Sequence, residues 1–339
     1  MAASILVYLG CYTDAANPQG LRVLSVDPAS GALSLVAGYE VPGAIYQALS
    51  PDSKLLVSAR AGGLASFRAD GAALGEIDGV DLGGTPCHVS LSADCREAYW
   101  ADYSGGAAGS VAVAPDGRFG EVRSWRHEGD GPNKPRQDKA HCHQAVPSPA
   151  GGGAFYVVDL GIDAIVRRPD GLVIPTSPAG AGPRHFVFDR GGRSGFLVFE
   201  LGNVVESFRV ADDGSFVFSD PVPTLPPGDT GRGYNGDLAA AIRIDPAGKR
   251  VVVSNRGENS LVSFDADSAT GVLSLAARTL LPGSWPRDFA FVTDTVVLVA
   301  MERSGDVLSL RYDPETGAFK QLDALHGFHR PVALTPVVR

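Results

Sequence analysis

Two histidines that could act on one ligand, His141 and His143, flank Cys142. On a β-strand, residues i and i+2 share a face, so both imidazoles could reach the same molecule. Imidazole titrates near neutral pH, and a general acid or base is therefore the favoured role. A zinc site is a weaker alternative, because neither a third ligand at a conventional spacing nor an HExxH motif is present. A structural, hydrogen-bonding histidine is the remaining interpretation for either residue.

Arg184 and Arg256 are candidate anion clamps, because a guanidinium binds a carboxylate or phosphate through two parallel hydrogen bonds. Two such groups around one pocket would indicate a small, negatively charged substrate. Alternatively, both could bond carbonyl groups between neighbouring structural units. Glu200 could orient or neutralise an arginine, or act as a base. His185 and Arg287 occupy corresponding places in the chain, so they are expected near the same pocket.

These residues belong to a repeated unit of four short apolar strands, with a turn resembling Pro-Asp-Gly after the first and an Asp-x-x-x-Gly hairpin before the fourth. Its spacing of about 40 to 55 residues is typical of a four-stranded propeller blade. Apolar residues alternate over four to six positions within each unit, as in strands. The units begin near Ala44, Pro86, His141, Pro183, Ala241, Pro286 and Pro331.

The seventh unit breaks off at the C-terminus, whereas the N-terminal strands, around Ile5–Tyr12, Leu21–Val26 and Leu33–Leu35, lack a preceding first strand. We therefore predict an all-β, seven-bladed β-propeller with four-stranded blades, closed by N- and C-terminal strands that share a blade. Residues 1–339 would form a single domain. Closure removes exposed sheet edges. A β-sandwich pair or a β-helix is the alternative, but neither predicts a wrapped-around final repeat.

Composition narrows the function classes. The 339 residues include 42 Gly and 24 Pro, as a chain with many turns requires, and 29 Lys+Arg against 38 Asp+Glu give a net charge of −9. This balance argues against a nucleic-acid partner. No apolar stretch approaches the roughly 20 residues of a membrane span, and no membrane partner is expected. The four cysteines show no CxxC spacing, and we interpret them as reduced thiols of a cytoplasmic protein; they are Cys11, Cys87, Cys95 and Cys142. We expect the protein to be a monomer or a weak homodimer.

Two units carry extensions of about ten residues, at 127–140 and 221–237, relative to the common repeat length. Long loops on a rigid scaffold often carry functional sites, although these could also be surface insertions without a function. Lys134, Arg136 and Lys139 in the first extension could supply positive charge for a phosphorylated substrate.

The phrase Gly180-Ala-Gly-Pro-Arg-His-Phe-Val-Phe188, followed by Phe199-Glu-Leu-Gly-Asn203, resembles a signature of the seven-bladed propeller lactonases. That family includes propeller-type 6-phosphogluconolactonases and fungal carboxy-muconate lactonising enzymes. Cys11 and Asp102 stand where family members often have Thr and Asn. The phrases that support the resemblance are Tyr8–Thr13, Pro86–Val89, Ala101–Gly106, Ala140–His143 and Trp285–Asp288.

The resemblance implies an active site in the central channel that needs no metal and no organic cofactor. It implies His143, Glu200, Arg184 and Arg256 as the catalytic residues. We assign substrate binding to a second group in the same channel, which comprises His141, His185, Arg287, Tyr103 and His88.

The expected function is hydrolysis of an acidic sugar lactone, such as 6-phosphogluconolactone. Arg184 and Arg256 would hold the anionic group, His143 would transfer the proton, and Glu200 would tune this cluster. The partner would be a small anionic lactone. A muconate-type cycloisomerase, which would use the same pocket without water, is one alternative. A non-enzymatic, ligand-binding propeller is the other.

Overall fold

The computed structural model describes residues 4–228, 236–267 and 270–337, and these ranges contain strands and turns but no helix. No segment within them forms a helix long and apolar enough to cross a membrane. The first strands in chain order are β1 (Ile5–Cys11), β2 (Leu21–Val26), β3 (Leu33–Tyr39), β4 (Gln47–Leu49), β5 (Leu55–Arg60), β6 (Gly63–Asp70), β7 (Ala73–Asp81), β8 (His88–Leu91), β9 (Glu97–Asp102), β10 (Ala107–Val113), β11 (Phe119–Arg126), β12 (Cys142–Pro147), β13 (Phe155–Asp159), β14 (Ala164–Arg168) and β15 (Val173–Pro175).

The remaining strands complete the chain. They are β16 (Pro183–Phe188), β17 (Ser194–Phe199), β18 (Val204–Val210), β19 (Phe216–Phe218), β20 (Val222–Pro223), β21 (Leu238–Ile244), β22 (Arg250–Arg256), β23 (Ser260–Ala266), β24 (Leu273–Leu280), β25 (Pro286–Phe291), β26 (Val296–Met301), β27 (Asp306–Tyr312), β28 (Phe319–Leu325) and β29 (Pro331–Pro336).

The strands form seven antiparallel sheets, which we call blades 1 to 7 in chain order. Blade 1 has the order β29-β1-β2-β3, so the last strand of the chain pairs with the first. The other blades begin at β4, β8, β12, β16, β21 and β25, and the fourth strand of blade 5 is divided into β19 and β20. The innermost strand of each blade contacts those of both neighbouring blades, which closes the ring. The predicted seven-bladed propeller with shared terminal strands is confirmed.

The blades pack face to face through apolar side chains. Leu261 of blade 6 and Phe289 and Val297 of blade 7 are fully buried in one such contact. The second strand of a blade is buried on both of its faces, so it is apolar at nearly every position, as β26 shows. Outermost strands such as β11 are exposed at most of their positions. Packing of this kind gives the channel a rigid wall.

Five of the innermost strands carry a β-bulge near their first residue. The extra residue, which has no partner in the neighbouring strand, is His143 in β12, Arg184 in β16, Arg287 in β25 and Val332 in β29. In β21 the register shifts between Ala239 and Ile242. A bulge interrupts the alternation of side chains and re-aims one of them. Blades 4, 5 and 7 therefore each place one basic side chain at the same end of the channel.

Glu206, in the centre of β18, should make the stability of the fold depend on pH. Its carboxyl group is buried, and Oε2 has no hydrogen bond to the described residues. Burial, and then the nearby charge of Asp220, raise its pKa to about 7 from 4.5. The folded protein therefore binds this proton more tightly than the unfolded chain, and stability falls as the pH rises from 4.5 through about 7.

We expect Glu206→Gln to be more stable than the wild type at pH 8, by on the order of 1–3 kcal/mol, and equally stable near pH 4.5. Urea unfolding at the two pH values measures this difference. Glu121→Gln, which removes an exposed carboxylate from β11, is the matched control. An advantage of Glu206→Gln that is the same at both pH values would contradict the interpretation.

Candidate functional site

The polar residues meet at one end of the channel because of the antiparallel pairing within each blade. The first strand begins where the second strand ends, so both contribute side chains to the same rim. Glu200 directly follows β17, Arg256 is the last residue of β22, and Glu302 directly follows β26. Of these and the bulge residues, four line one cavity, namely His143, Glu200, Arg256 and Arg287.

This cavity has a volume of about 430 Å³. The charged part of its wall comprises four arginines and one glutamate, so its local charge is opposite to the net charge of the chain. A few focused cations can set the potential of a cleft whatever the overall charge is. The lining residues are Tyr12, Ile45, Thr85, Cys87, Tyr103, Ser104, Arg136, His143, Glu200, Leu238, Arg256, Trp285, Arg287 and Arg303.

A void of about 10 Å³ shares part of this wall. This space is at the lower limit of what a single water molecule needs. Four residues line both spaces, namely Ile45, Cys87, His143 and Arg287. The void alone is lined by Tyr46, Arg184, His185, Asp288 and Val332.

Glu200 is the centre of the charge network. Its Oε2 accepts a hydrogen bond from Nε of Arg184 at 3.0 Å and pairs with Nη2 of Arg256 at 2.8 Å. Its other oxygen, Oε1, accepts a hydrogen bond from Nη2 of Arg136 at 2.5 Å. Burial alone would raise the pKa of this carboxyl, but the three arginines, with Arg256 the strongest, hold it well below the usual range. Glu200 is therefore a fixed anion.

Arg184 and Arg256 bind backbone carbonyls as well as Glu200. Arg184 donates from Nη1 to the oxygen of Ala240 in the next blade at 2.6 Å. Arg256 donates to the oxygens of Leu238 and Ala239 at 3.2 and 2.9 Å. The bond of Arg184 runs between two blades, as the structural alternative predicted, whereas those of Arg256 lie within blade 6. Arg256 lines the cavity, whereas Arg184 lies beneath Glu200 and lines the void only.

The surroundings of His143 favour the neutral imidazole. Burial, followed by the positive charge of Arg184, holds its pKa well below 6.5. Its Nε2 lies 3.9 Å from Oε2 of Glu200, and its Nδ1 has no hydrogen bond to the described residues. The ring makes edge-to-face contacts with Tyr103 at 5.5 Å and with His185 at 5.0 Å. His143 therefore lines the cavity as a neutral ring whose Nε2 faces the carboxylate of Glu200.

His141 lies apart from the cavity. Its two ring nitrogens bond the carbonyl oxygen of Tyr103 and Oδ1 of Asp138, each at 3.0 Å, and its ring stacks on Tyr103 at 4.4 Å. The expected convergence of His141 and His143 on one ligand does not occur, because the bulge at His143 breaks the alternation on which it depended. Through Tyr103, His141 supports the wall of the site.

The other predicted binding residues lie at two depths. Tyr103 and Arg287 line the cavity, whereas His185 lines the inner void with its Nε2 unbonded to any described residue. His88 lies deeper, with its ring 5.5 Å from that of His185. Burial, followed by the charges of two arginines, lowers the pKa of His88 to about 3. His88 and His185 therefore surround the base of the site as neutral groups.

Sequence reasoning did not assign Tyr12, Trp285 or Arg303 to the site, and it named Arg136 only as one of three basic residues that could serve a phosphorylated substrate. Arg136 lies in the first long loop, and this loop was the signal for it. Of the other basic residues there, Lys134 pairs with Asp130 at the surface and Lys139 donates to a backbone carbonyl.

In the second long loop, residues 229–235 lie outside the described residues. The repeat itself could have identified Glu302, which holds the position in blade 7 that Glu200 holds in blade 5.

One group among the described residues has the composition of a metal site, and it lies away from the cavity. It consists of His127, Cys142 and Asp159, all buried. Nδ1 of His127 lies 2.8 Å from Oδ2 of Asp159, and the Cys142 thiol donates to the same oxygen at 3.5 Å. These are hydrogen-bonding distances. The group links blades 3 and 4, and all four cysteines of the chain are free thiols.

Comparisons with known proteins identify the family to which this fold belongs. A family model described as "Lactonase, 7-bladed beta-propeller" matches residues 6–336. The 6-phosphogluconolactonase of Bacillus subtilis (strain 168) is 29% identical, over 96% of this chain and 97% of its own. The 6-phosphogluconolactonase of Formosa agariphila is 28% identical, over 93% and 95%. The periplasmic gluconolactonase PpgL of Pseudomonas aeruginosa superimposes with a TM-score of 0.91 at 28% identity, over 99% of both chains.

Proposed function

Because this chain belongs to the seven-bladed β-propeller lactonase family, we propose that it hydrolyses the lactone ring of an acidic sugar, with 6-phosphogluconolactone as the leading substrate. The observation that carries this proposal is the cavity wall, where a neutral histidine and a fixed carboxylate stand among four arginines. A neutral imidazole can accept a proton from water, and the arginines favour a negatively charged substrate.

The attacking water would bind between His143 and Glu200. Their Nε2 and Oε2 atoms are 3.9 Å apart, so a water about 2.8 Å from each would bridge them in a bent arrangement. Glu200 would accept one hydrogen bond and orient the water. His143 would take the other proton as the oxygen attacks the lactone carbonyl. The adjacent carboxylate would stabilise the resulting imidazolium.

The arginines would stabilise the negative charge that develops on the carbonyl oxygen. Arg256 lines the cavity beside Glu200, and Arg287 enters it from the bulge of β25. Fixed donors of this kind lower the barrier most when water is excluded. When the tetrahedral intermediate collapses, the ring C–O bond breaks, and the proton held by His143 passes to the leaving alkoxide. The products are one hydroxyl and one carboxyl group, so water is consumed and no proton is left on the enzyme.

Arg184 has a different role in this mechanism from the one that the sequence indicated. Its Nε and Nη1 are bonded to Glu200 and Ala240, and it lines only the small void. Burial, followed by the repulsion of Arg256, lowers its pKa to about 9, so it is still a cation at neutral pH. We assign it to holding Glu200 in place, and we assign the contact with substrate to Arg256 and Arg287.

Titration at constant pH with a panel of lactones tests the proposal. We expect faster ring opening of 6-phosphogluconolactone than of unphosphorylated δ-gluconolactone, with kcat/KM at least about tenfold higher, because a charge-assisted pair contributes about 1.5–3 kcal/mol. The spontaneous rate, measured without enzyme, is subtracted. A panel in which no lactone opens above this rate would refute the proposal, and cyclisation of a muconate by the same protein would identify a cycloisomerase instead.

A further inference from the structure

Arg303 differs from the other three arginines of the cavity in its charge balance. Arg136 and Arg256 pair with Glu200, and Arg287 pairs with Glu302 at 3.1 Å. Within the part of the chain that the structure describes, Arg303 has no carboxylate within ion-pair distance. Among the described residues, Arg303 is therefore the cavity arginine that no carboxylate pairs with, and its guanidinium is available to an anionic group of a ligand.

The Trp285 ring holds Arg303 in position. The Cζ atom of Arg303 lies 3.2 Å from the centroid of this ring, and that of Arg256 lies 5.6 Å from it. Trp285 is buried, with 5% of its surface exposed. Cation–π contact of this kind stabilises a guanidinium and limits its rotamers, so less entropy is lost when an anion binds. Arg303 is thus a preorganised cation.

The backbone of Trp285 is strained. Its φ is +73°, a left-handed conformation that bulky residues rarely adopt. Two hydrogen bonds maintain it, since the amide of Trp285 donates to Oδ1 of Asn259 at 2.8 Å and its carbonyl accepts from the amide of Glu302 at 2.9 Å. Such strain costs on the order of 1–3 kcal/mol and is concentrated at ligand sites. It places the ring where Arg303 can lie on it.

We propose that Arg303 forms a distal anion subsite that binds a phosphate monoester, and that it selects phosphorylated over unphosphorylated lactones. This inference rests on the proposed function and adds a specificity residue to it. Arg303 is exposed at the mouth of the cavity, whereas His143 and Glu200 are buried in its wall. A substrate bound with its carbonyl at His143 would extend its far end outwards, where the guanidinium binds two phosphate oxygens. Trp285 is the positioning residue.

Arg303→Met, which keeps most of the side-chain length and removes the charge, tests the subsite. We expect the ratio of kcat/KM for 6-phosphogluconolactone to that for δ-gluconolactone to fall by about 10- to 100-fold, mainly through KM, as expected for the loss of a hydrogen-bonded charge pair. Arg303→Lys should lie between the two, because it keeps the charge without the planar fork. A fall in this ratio of less than about fivefold in Arg303→Met overturns the proposal, because the loss of one ordinary hydrogen bond would account for it.

Arg123→Met is the matched control, since Arg123 is exposed on the outermost strand of blade 3. This variant should keep the wild-type ratio. Trp285→Leu should lower the ratio as Arg303→Met does, whereas Trp285→Phe should keep most of it, because an aromatic face remains. An unchanged ratio in Trp285→Leu would exclude the positioning role.

Calorimetric titration distinguishes failure of the subsite from failure of the proposed function. The wild type should bind 6-phosphogluconate more tightly than gluconate, and Arg303→Met should lose this difference, even if no lactone is opened. Inorganic phosphate should compete with 6-phosphogluconate but weakly, since it contacts the subsite alone. Equal binding of the two acids by the wild type would overturn the subsite, whether or not the protein is a lactonase. Competition by inorganic phosphate that is as strong in Arg303→Met as in the wild type would also overturn it.

Discussion

Replacing His143 with alanine should lower kcat for lactone opening by about 10²- to 10⁴-fold, the usual contribution of a general acid–base group. The reason is specific to this site. Burial and the charge of Arg184 hold the pKa of His143 well below its usual range, and its Nε2 lies 3.9 Å from Oε2 of Glu200, on either side of the proposed water. Without it, the water has no acceptor for its proton, and the leaving alkoxide has no donor.

The measurement is steady-state kinetics on the best substrate of the panel, with thermal unfolding as a check on folding. His141→Gln is the matched control, because His141 is the neighbouring imidazole and lies outside the cavity wall. We expect it to lose less than about tenfold, since it changes only the support of Tyr103. A folded His143→Ala protein with more than about a tenth of wild-type turnover would refute the assignment.

The pH dependence of the wild type gives a second test of His143. A histidine with an ordinary pKa would be protonated below pH 6.5, and activity would fall there. Because burial and Arg184 hold the pKa of His143 well below 6.5, it stays neutral. We therefore expect kcat/KM for δ-gluconolactone, which carries no phosphate that titrates in this range, to be flat from pH 7.5 to below 6, after correction for spontaneous hydrolysis. A fall centred near 6.5 would contradict this environment.

Replacing Glu200 with glutamine should affect both stability and turnover. The carboxylate neutralises Arg184, Arg256 and Arg136, and its side chain is buried. Removing one partner of a buried ion pair costs about 3–5 kcal/mol, because the remaining charges stay buried without compensation. Turnover should fall by about 10²-fold or more, since the group that orients the water and stabilises the imidazolium loses its charge.

Urea unfolding and steady-state kinetics measure the two effects of Glu200→Gln. Glu302→Gln is the comparison variant, because Glu302 is also a buried carboxylate that joins two arginines, Arg287 and Arg330. The side chain of Arg330 is half exposed, so this variant should lose less stability than Glu200→Gln. A smaller loss in Glu200→Gln than in Glu302→Gln would contradict the central place of Glu200.

The loss of stability in Glu200→Gln should also depend on pH in a definite direction. The pKa of Glu200 is lower in the folded protein than the value of 4.5 for a free side chain. Its contribution is therefore fully present above pH 4.5 and decreases as the pH falls below that value. The difference between wild type and variant should be constant from pH 5 to pH 8 and should shrink in stronger acid.

The blade count and the ring closure could be predicted from the sequence because they depend on periodicity. Each unit repeats the same alternation and turns, and the last start at Pro331 required the N-terminal strands to complete its blade. Those features are local, and tertiary packing does not alter them. The structure confirms this part of the prediction in the pairing of β29 with β1.

The detail of the site could not be predicted in the same way, since it depends on bulges. Alternation places His141 and His143 on one face, but the bulge separates them. The distribution of hydrogen bonds is equally invisible in the sequence. The residue type of Arg184 does not show that its guanidinium is bonded to the Glu200 carboxylate and to a backbone carbonyl. Nor does the sequence show that Arg136 reaches Glu200 from its loop.

The bulges also bear on how such a protein can change its chemistry. Because His143, Arg184 and Arg287 are the extra residues of their strands, the ladder pairs on either side continue without them. The side chains that act in the channel are thus largely separate from the pairings that hold the blades together. Substitutions at these three positions leave the strand pairing intact, so any loss of stability comes from the ion pairs of Arg184 and Arg287 and not from the blades. Where those pairs are kept or replaced together, the ring is a favourable starting point for evolving or engineering other specificities.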